Sequence, residues 1–282
     1  MRPESARGDP ALPALAGEEV AQRRALDLIF RDAAIRDGAV EREFPPLLAI
    51  ADLERADYFR SFPQHASLVA PLQRAILPDV AAHGARGARA LTSADLAAPQ
   101  HLFTPAACYA LYPALADRVL AVPCAVTLVS DCCRREAEYD AGARQWCFRM
   151  REVIHFGTAE SVNAFLEQWT LRIRAWCAAA GIACTLAPAA DSFFDPRDPR
   201  RLLQRLEPNK HEVLEDGRIA LASLNFHRTF FGERYGIRDA AGRPVFSGCV
   251  AFGLDRWLRA CRSRCGDRLQ DWPAALRGGS VA

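Results

Sequence analysis

Residues 132–136 read Cys132-Cys133-Arg134-Arg135-Glu136, and residues 146–152 read Trp146-Cys147-Phe148-Arg149-Met150-Arg151-Glu152. The span Arg134–Arg144 that joins them is charged and contains Gly142, which suits a long hairpin loop. Trp146–Gly157 alternates around Phe148, Met150 and Ile154, the period of a strand. Arg134 and Glu136, two apart on an extended chain, are expected to face the same side. Phe148 and Glu152 belong to the return strand. An arginine fork can hold a phosphate through two hydrogen bonds, and a phenylalanine can stack on a base. The hairpin therefore suits a nucleotide. It equally suits a solvated charged hairpin with one core Phe, and at this point both readings stay open.

Working outward, Val119–Val129 carries β-branched residues and reads as a strand, interrupted by Pro123. Thr158–Gly181 reads as an amphipathic helix. Val162, Phe165, Leu166, Trp169, Ile173, Trp176 and Cys177 recur at spacings of three and four. Thr158 with Ser161 stands at the N-cap and Gly181 at the stop. Ile219–Phe226 and Val245–Phe252 read as further strands, and Asp255–Arg264 as a closing helix. Upstream, residues 1–17 are rich in Pro, Gly, Ala and charge and read as a flexible arm. A helix is expected from Glu18, with Val20, Ala25, Leu26 and Ile29 on one face. Pro45-Pro46 breaks any helix, Pro63 closes the element Ala56–Pro63, and Val80–Ala98 reads as a surface connection or loose helix. The sum is an α+β domain over residues 18–282, an antiparallel sheet flanked by helices.

Composition narrows the function. The chain has 282 residues, half of them apolar and 25% charged, which excludes wholesale disorder. Lys plus Arg number 36 against 34 Asp plus Glu, a net +2 that argues against a wide nucleic-acid-gripping face. Lys210 is the only lysine. The longest apolar run is too short to cross a membrane. The first ten residues carry acids and prolines where a signal peptide needs an apolar core, so a cytoplasmic location is expected. The 10 cysteines include no CxxC pair, which speaks against a zinc ribbon. Most read as small core residues, and one or two as ligands.

The order Arg134-x-Glu136, loop, Arg144, Phe148-x-x-x-Glu152 resembles motif 2 of the class II aminoacyl-tRNA synthetases. The run Ser247-Gly248-Cys249-Val250-Ala251-Phe252-Gly253-Leu254-Asp255-Arg256 resembles their motif 3, and Asp57–Pro63 resembles motif 1, whose proline ends a dimer-interface element. Within that class, Phe148–Thr158, Lys210-His211-Glu212, Ser223–Gly232 and Ser247–Trp257 resemble the atypical, zinc-dependent seryl-tRNA synthetases. More closely still they resemble their truncated bacterial relatives, the amino acid:[carrier protein] ligases. The resemblance covers roughly residues 50–260.

The resemblance implies roles. Arg134 would hold the ATP α-phosphate, Glu136 the adenine amino group and Arg144 the outer phosphates. Phe148 would stack under adenine, with Arg256 on its other face or on the γ-phosphate. Ser223 and Asn225 would line the ATP and Mg2+ site. An acid is usual on that strand, and Ala220 and Ala222 stand in its place. Cys108, Glu152 and Cys249 would hold one Zn2+ per chain. Two thiolates and a carboxylate are sound zinc ligands that leave a coordination position open, here for the amine of a small amino acid. Lys210 would bind substrate or phosphate. His227 lines the pocket or is structural, and Cys261 with Cys265 on the last helix reads as packing. The implied enzyme is an AMP-forming ligase that activates glycine or alanine and passes it to the phosphopantetheine thiol of an acyl carrier protein. Arg172–Arg174 or Arg197–Arg205 would meet that acidic partner. A homodimer through Asp57–Pro63, no tRNA-binding domain and no tRNA substrate are expected. The alternatives are a tRNA-charging enzyme and a catalytically silent paralogue that binds or regulates.

Overall fold

The strands are β1 (Val40–Glu41), β2 (Leu47–Ala49), β3 (Leu68–Val69), β4 (His101–Phe103), β5 (Cys124–Cys133), β6 (Cys147–Gly157), β7 (Cys184–Pro188), β8 (Lys210–Glu215), β9 (Ile219–Arg228) and β10 (Phe246–Gly253). The helices are α1 (Glu18–Arg36), α2 (Ile50–Arg55), α3 (Tyr58–Ser61), α4 (Leu77–His83), α5 (Leu111–Ala114), α6 (Ala159–Ala179), α7 (Phe230–Tyr235) and α8 (Leu254–Cys265). The structure is a computed structural model that describes residues 14–85, 90–136, 138–140, 142–195, 197–200, 204 and 208–278.

Seven strands form one sheet in the order β1-β5-β6-β10-β9-β8-β7. Every pairing is antiparallel except β1 on β5, so an antiparallel sheet carries one parallel edge strand. A second, small sheet has the order β2-β4-β3.

Strand alternation sorts the main sheet into two faces. Val153, Leu224, Val250 and Phe252 point to a core built with α1, α6 and α8. Glu152, Cys249 and Asn225 point the other way, into a cleft. The helices lie on the apolar face because their own apolar stripes match it. Trp169, Ile173 and Cys177 of α6 are fully buried there, as are Trp257 and Cys261 of α8. The N-cap of α6 is the expected one: Ser161 N donates to Thr158 Oγ1 at 3.2 Å, and Thr158 N donates to Ser161 Oγ at 3.0 Å. The approach of α6 to β10 depends on Gly248. A Cβ there would lie 2.5 Å from Val162 Cγ1 and 2.9 Å from the Asn225 carbonyl oxygen.

Arg151, 2% exposed, ties the sheet edge together. It donates to both Asp27 carboxylate oxygens on α1, at 2.7 and 2.9 Å, and to Glu41 on β1 at 3.0 Å. A buried guanidinium requires such partners.

Several expectations move. The strand expected over Val119–Val129 starts only at Cys124, past Pro123, and runs on to Cys133. Val119 makes an isolated bridge to Arg238. Arg134 and Glu136 lie beyond the end of β5, so strand alternation does not orient them. Most of the arm expected over 1–17 lies outside the described residues, but Leu15 packs against the main core. The stretch Val80–Ala98 holds the end of α4 and a 3-10 turn over Ser93–Asp95, with 86–89 outside the described residues. Among the described residues no helix is long and apolar enough to cross a membrane.

Candidate active site

The other face of the sheet is covered in part by Leu111 and Tyr112 of α5 and by Phe231 and Tyr235 of α7, and it floors a cavity of about 630 Å³. Register explains which side chains meet there. Cys249 on β10 faces Asn225 on β9, which faces Lys210 on β8. One step along, Glu152 faces Ala251, Ala251 faces Ser223, and Ser223 faces Glu212. Two rows of polar groups therefore cross the sheet on one side, at positions the period of two assigns to that side.

Arg134, Glu136, Arg144 and Phe148 line the cavity from the hairpin, and Arg256 lines it from the first turn of α8. The Arg134 guanidinium carbon lies 5.3 Å from the centre of the Phe148 ring, and its Nε donates to the Pro105 carbonyl at 2.7 Å. Arg256 Nε donates to the Ala143 carbonyl at 2.7 Å, and Nη1 donates to the Ala220 carbonyl at 2.9 Å. These bonds join α8 to both the hairpin loop and β9. Burial, and then the nearby positive Arg134, lower the Arg256 pKa. An anion in the cavity would relieve both effects. Asp255 fixes the turn: its Oδ2 accepts from Arg149 N at 2.7 Å, and its Oδ1 pairs with Arg23 of α1 at 3.3 Å.

Cys108, Glu152 and Cys249 are all buried, with their ligand atoms within 4.8 Å of one another. Cys108 comes from the 3-10 turn Ala107–Ala110, Glu152 from β6 and Cys249 from β10. Cys108 N donates to Glu152 Oε1 at 3.1 Å, and Asn225 Nδ2 donates to Cys249 Sγ at 3.3 Å and to Ser223 Oγ at 3.2 Å. Hydrogen bonding to Cys249, together with burial, pushes the Cys108 thiol well up. Its bond to Cys108 lowers Cys249, but burial and the neighbouring Glu152 together outweigh this and leave that thiol raised. Burial also raises Glu152. A divalent cation is the partner that would favour the charged forms of all three. Among the described residues this is the one group of three such donors.

Lys210 Nζ sits 2.9 Å from Asp191 and 3.5 Å from Glu212. Burial alone would lower the lysine, but Asp191 and then Glu212 outweigh it and leave it raised. Burial works against the Asp191 carboxylate, yet the Lys210 ammonium, helped by a hydrogen bond from Gln204, holds it below the usual range. Glu212, on the neighbouring strand opposite Ser223, brings an acid to the cavity wall where Ala220 and Ala222 bring none. The alternation of Lys210 and Glu212 was the available signal. Asp191 had none, because it sits outside regular structure and reaches the cavity through tertiary contacts.

His227 lines the cavity, with Nδ1 3.1 Å from Tyr112 Oη and 3.2 Å from Ser247 Oγ, and burial pushes its pKa down to about 4. Cys261 is core and Cys265 packs against it. The segment Asp57–Pro63 forms part of the cavity wall. Tyr58, Ser61 and Phe62 of that stretch line the cavity, and Tyr58 packs edge-on against Tyr109 at 5.4 Å. That pocket wall closes because Ser192 and Phe193 reach across it: Gln64 Nε2 donates to the Ser192 carbonyl at 2.7 Å, and Phe193 stacks on Phe62 at 5.1 Å. Of the two basic stretches, Arg200 lines the cavity, with residues 201–203 and 205 outside the described residues. Arg172 is held at the far side of the sheet by Asp37 and stacks on Trp169.

The seven-stranded sheet, the motif 2 hairpin and the arginine on the helix after β10 define a class II aminoacyl-tRNA synthetase fold. The structure of Methanopyrus kandleri seryl-tRNA synthetase in complex with A. aeolicus tRNA(Sec) shares it, with a TM-score of 0.73 at 18% identity, over 98% of this chain and 61% of that one. Prolyl-tRNA synthetase of Cryptosporidium parvum follows, with a TM-score of 0.63 at 12% identity, over 91% of this chain and 48% of that one. Amino acid--[acyl-carrier-protein] ligases 1 and 2 of Bradyrhizobium diazoefficiens are each 35% identical, over 85% and 83% of this chain and 76% and 72% of their own lengths. The chain belongs to the amino acid--[acyl-carrier-protein] ligase family, and it is a ligase. No protein-family model matches it.

Proposed function

We propose that this ligase activates a small amino acid, glycine or alanine, with ATP and transfers it to the phosphopantetheine thiol of an acyl carrier protein. The observation that carries the reading is that the nucleotide-type residues and the Cys108–Glu152–Cys249 group line one cavity.

ATP lies along the hairpin, with adenine on Phe148 and near Glu136, and with its phosphates toward Arg134, Arg144 and Arg256. The amino acid carboxylate attacks the α-phosphorus, and pyrophosphate leaves. That carboxylate is already a nucleophile at neutral pH, so this step needs no protein base. Arg134 neutralises charge developing on the α-phosphoryl oxygens. Glu212, Ser223 and Asn225 form the side of the cavity where Mg2+ accompanies the phosphates. Zinc fits the donor set of Cys108, Glu152 and Cys249 and would offer an open position to the substrate amine. Lys210 with Asp191 shapes the substrate end. The carrier thiol then attacks the aminoacyl carbonyl, and AMP leaves.

The carrier is acidic and brings its own thiol arm, so it needs only a modest basic rim such as Arg200. The net charge of +2 supplies little phosphate-neutralising surface for tRNA. A cytoplasmic homodimer remains part of this reading. Its seam is the one the motif 1 resemblance implies, through Asp57–Pro63.

ATP–pyrophosphate exchange with each amino acid, followed by offering holo-carrier protein and total tRNA in separate tubes, tests the reading. Exchange with glycine or alanine and a thioester on the carrier are expected. Stable aminoacyl-tRNA without thioester would favour a tRNA-charging enzyme, and no exchange with any amino acid would favour a silent paralogue.

A further inference from the structure

We infer that Cys133 and Cys147 are a redox modification site, a reversible disulfide that staples the base of the nucleotide hairpin. The two are register partners, the last pair of β5 and β6. Their sulfurs lie 2.7 Å apart. The next pair out, Arg134 with Trp146, is hydrogen-bonded, with Arg134 N donating to the Trp146 carbonyl at 2.8 Å. Cys133 N donates elsewhere, to the Thr104 carbonyl at 2.9 Å. Cys133 and Cys147 therefore occupy a non-hydrogen-bonded position, where Cα atoms approach to about 4.5 Å and side chains are closest. That spacing lies within the range a disulfide spans, about 4.4–6.8 Å, so the bond forms without moving the backbone.

The position gives the bond a consequence. Cys133 precedes Arg134 and Cys147 precedes Phe148, the two residues whose side chains meet at 5.3 Å on the cavity wall. Joining the sulfurs fixes the roots of both side chains and closes the loop that carries Glu136 and Arg144. The consequence for ATP rests on the function proposed above; the bond itself does not.

The oxidant is a low-molecular-weight disulfide of the oxidised-glutathione class. Cys147, half-buried and the more open of the pair, attacks it as a thiolate and releases one glutathione thiolate. Cys133 gives its proton to solvent and attacks the Cys147 sulfur of the mixed disulfide, expelling the second glutathione thiolate. Each released thiolate takes up a proton. Two protein thiols lose two electrons in total, and one small disulfide is reduced to two thiols. Disulfides of reducing compartments are typically transient and redox-sensing.

The experiment treats the folded chain with oxidised glutathione, maps disulfides by mass spectrometry of a non-reducing digest, and measures ATP affinity before and after. A Cys133–Cys147 crosslink is expected, lost on adding dithiothreitol. The crosslinked chain should bind ATP about two- to fivefold tighter, from pre-organisation of the loop. Cys133→Ser is expected to stop at a glutathione adduct on Cys147, and the wild-type digest stands even if that variant unfolds. Glutathione retained on Cys147 in the wild type, or both thiols left free, overturns the staple. A crosslinked chain whose ATP affinity is unchanged or weaker overturns its effect on the loop. A chain that crosslinks but binds no ATP in either state overturns the nucleotide reading of the site, and the tightening with it.

Discussion

Asn225 and Cys249 face each other across β9 and β10, and the Asn225 amide donates to the Cys249 sulfur at 3.3 Å. The amide also reaches Ser223. One side chain thus ties the Cys249 sulfur to the Ser223 hydroxyl. Ligand-orienting partners of this kind typically change metal affinity about 10- to 100-fold when removed. Asn225→Ala is therefore expected to weaken zinc binding by that order, measured by competition with a chromogenic chelator. Cys249→Ser should lose zinc outright by elemental analysis, and full retention of about one zinc per chain would refute the assignment.

Arg134→Ala and Arg256→Ala are each expected to lower ATP–pyrophosphate exchange about 100-fold or more with the fold intact. Far-UV circular dichroism checks the fold. Near-normal exchange in either variant would mean the arginines hold no phosphate.

Glu212→Gln keeps the shape of the side chain and removes its charge. The Mg2+ concentration for half-maximal exchange should rise about tenfold or more, while adenine-analogue binding at Phe148 holds. Unchanged Mg2+ dependence would place the metal elsewhere.

Lys210 and Asp191 make a pH prediction. The Asp191 pKa is lowered in the folded chain, so its contribution is present above the unfolded carboxylate value of about 3.9 and is lost as pH falls through the folded value. The Lys210 pKa is raised, so its contribution is present below about 10.4 and is lost as pH rises through the folded value. The stability difference between wild type and Asp191→Asn should stay flat from about pH 5 to 9 and shrink outside it. Urea midpoints across pH measure it, and a difference that grows in acid would contradict the pairing.

Gly248→Ala drives a methyl group into Val162 and the Asn225 carbonyl. A loss of about 1–3 kcal/mol is expected by urea denaturation. A neutral result would show that α6 is free to shift.

Much of this architecture was legible because local physics sets it. Period-two alternation gave Cys147–Gly157 almost to the residue, and the three- and four-residue apolar spacing with Thr158 and Ser161 gave α6. Motif spacing brought Arg134, Glu136, Arg144, Phe148 and Arg256 forward, and all of them line the cavity. The place of Asp57–Pro63 in the cavity wall was not legible, because a proline after aromatic residues closes an element in any setting. Whether Tyr58 faces a second subunit or a cavity depends on Tyr109 and Phe193, which are remote in sequence.

The sequence by itself determined the long elements β6, β9, β10, α1, α6 and α8 and which of their side chains share a face, since those follow from neighbours a few residues apart. Only the tertiary structure decided what stands opposite what. Strand register set Glu212 against Ser223 and Lys210 against Asn225, and a loop outside regular structure delivered Asp191 to Lys210. It also brought Cys108 and Cys249 within reach of Glu152. No periodicity encodes such distances, because they depend on how strands far apart in the chain pair and on which surfaces are buried between them.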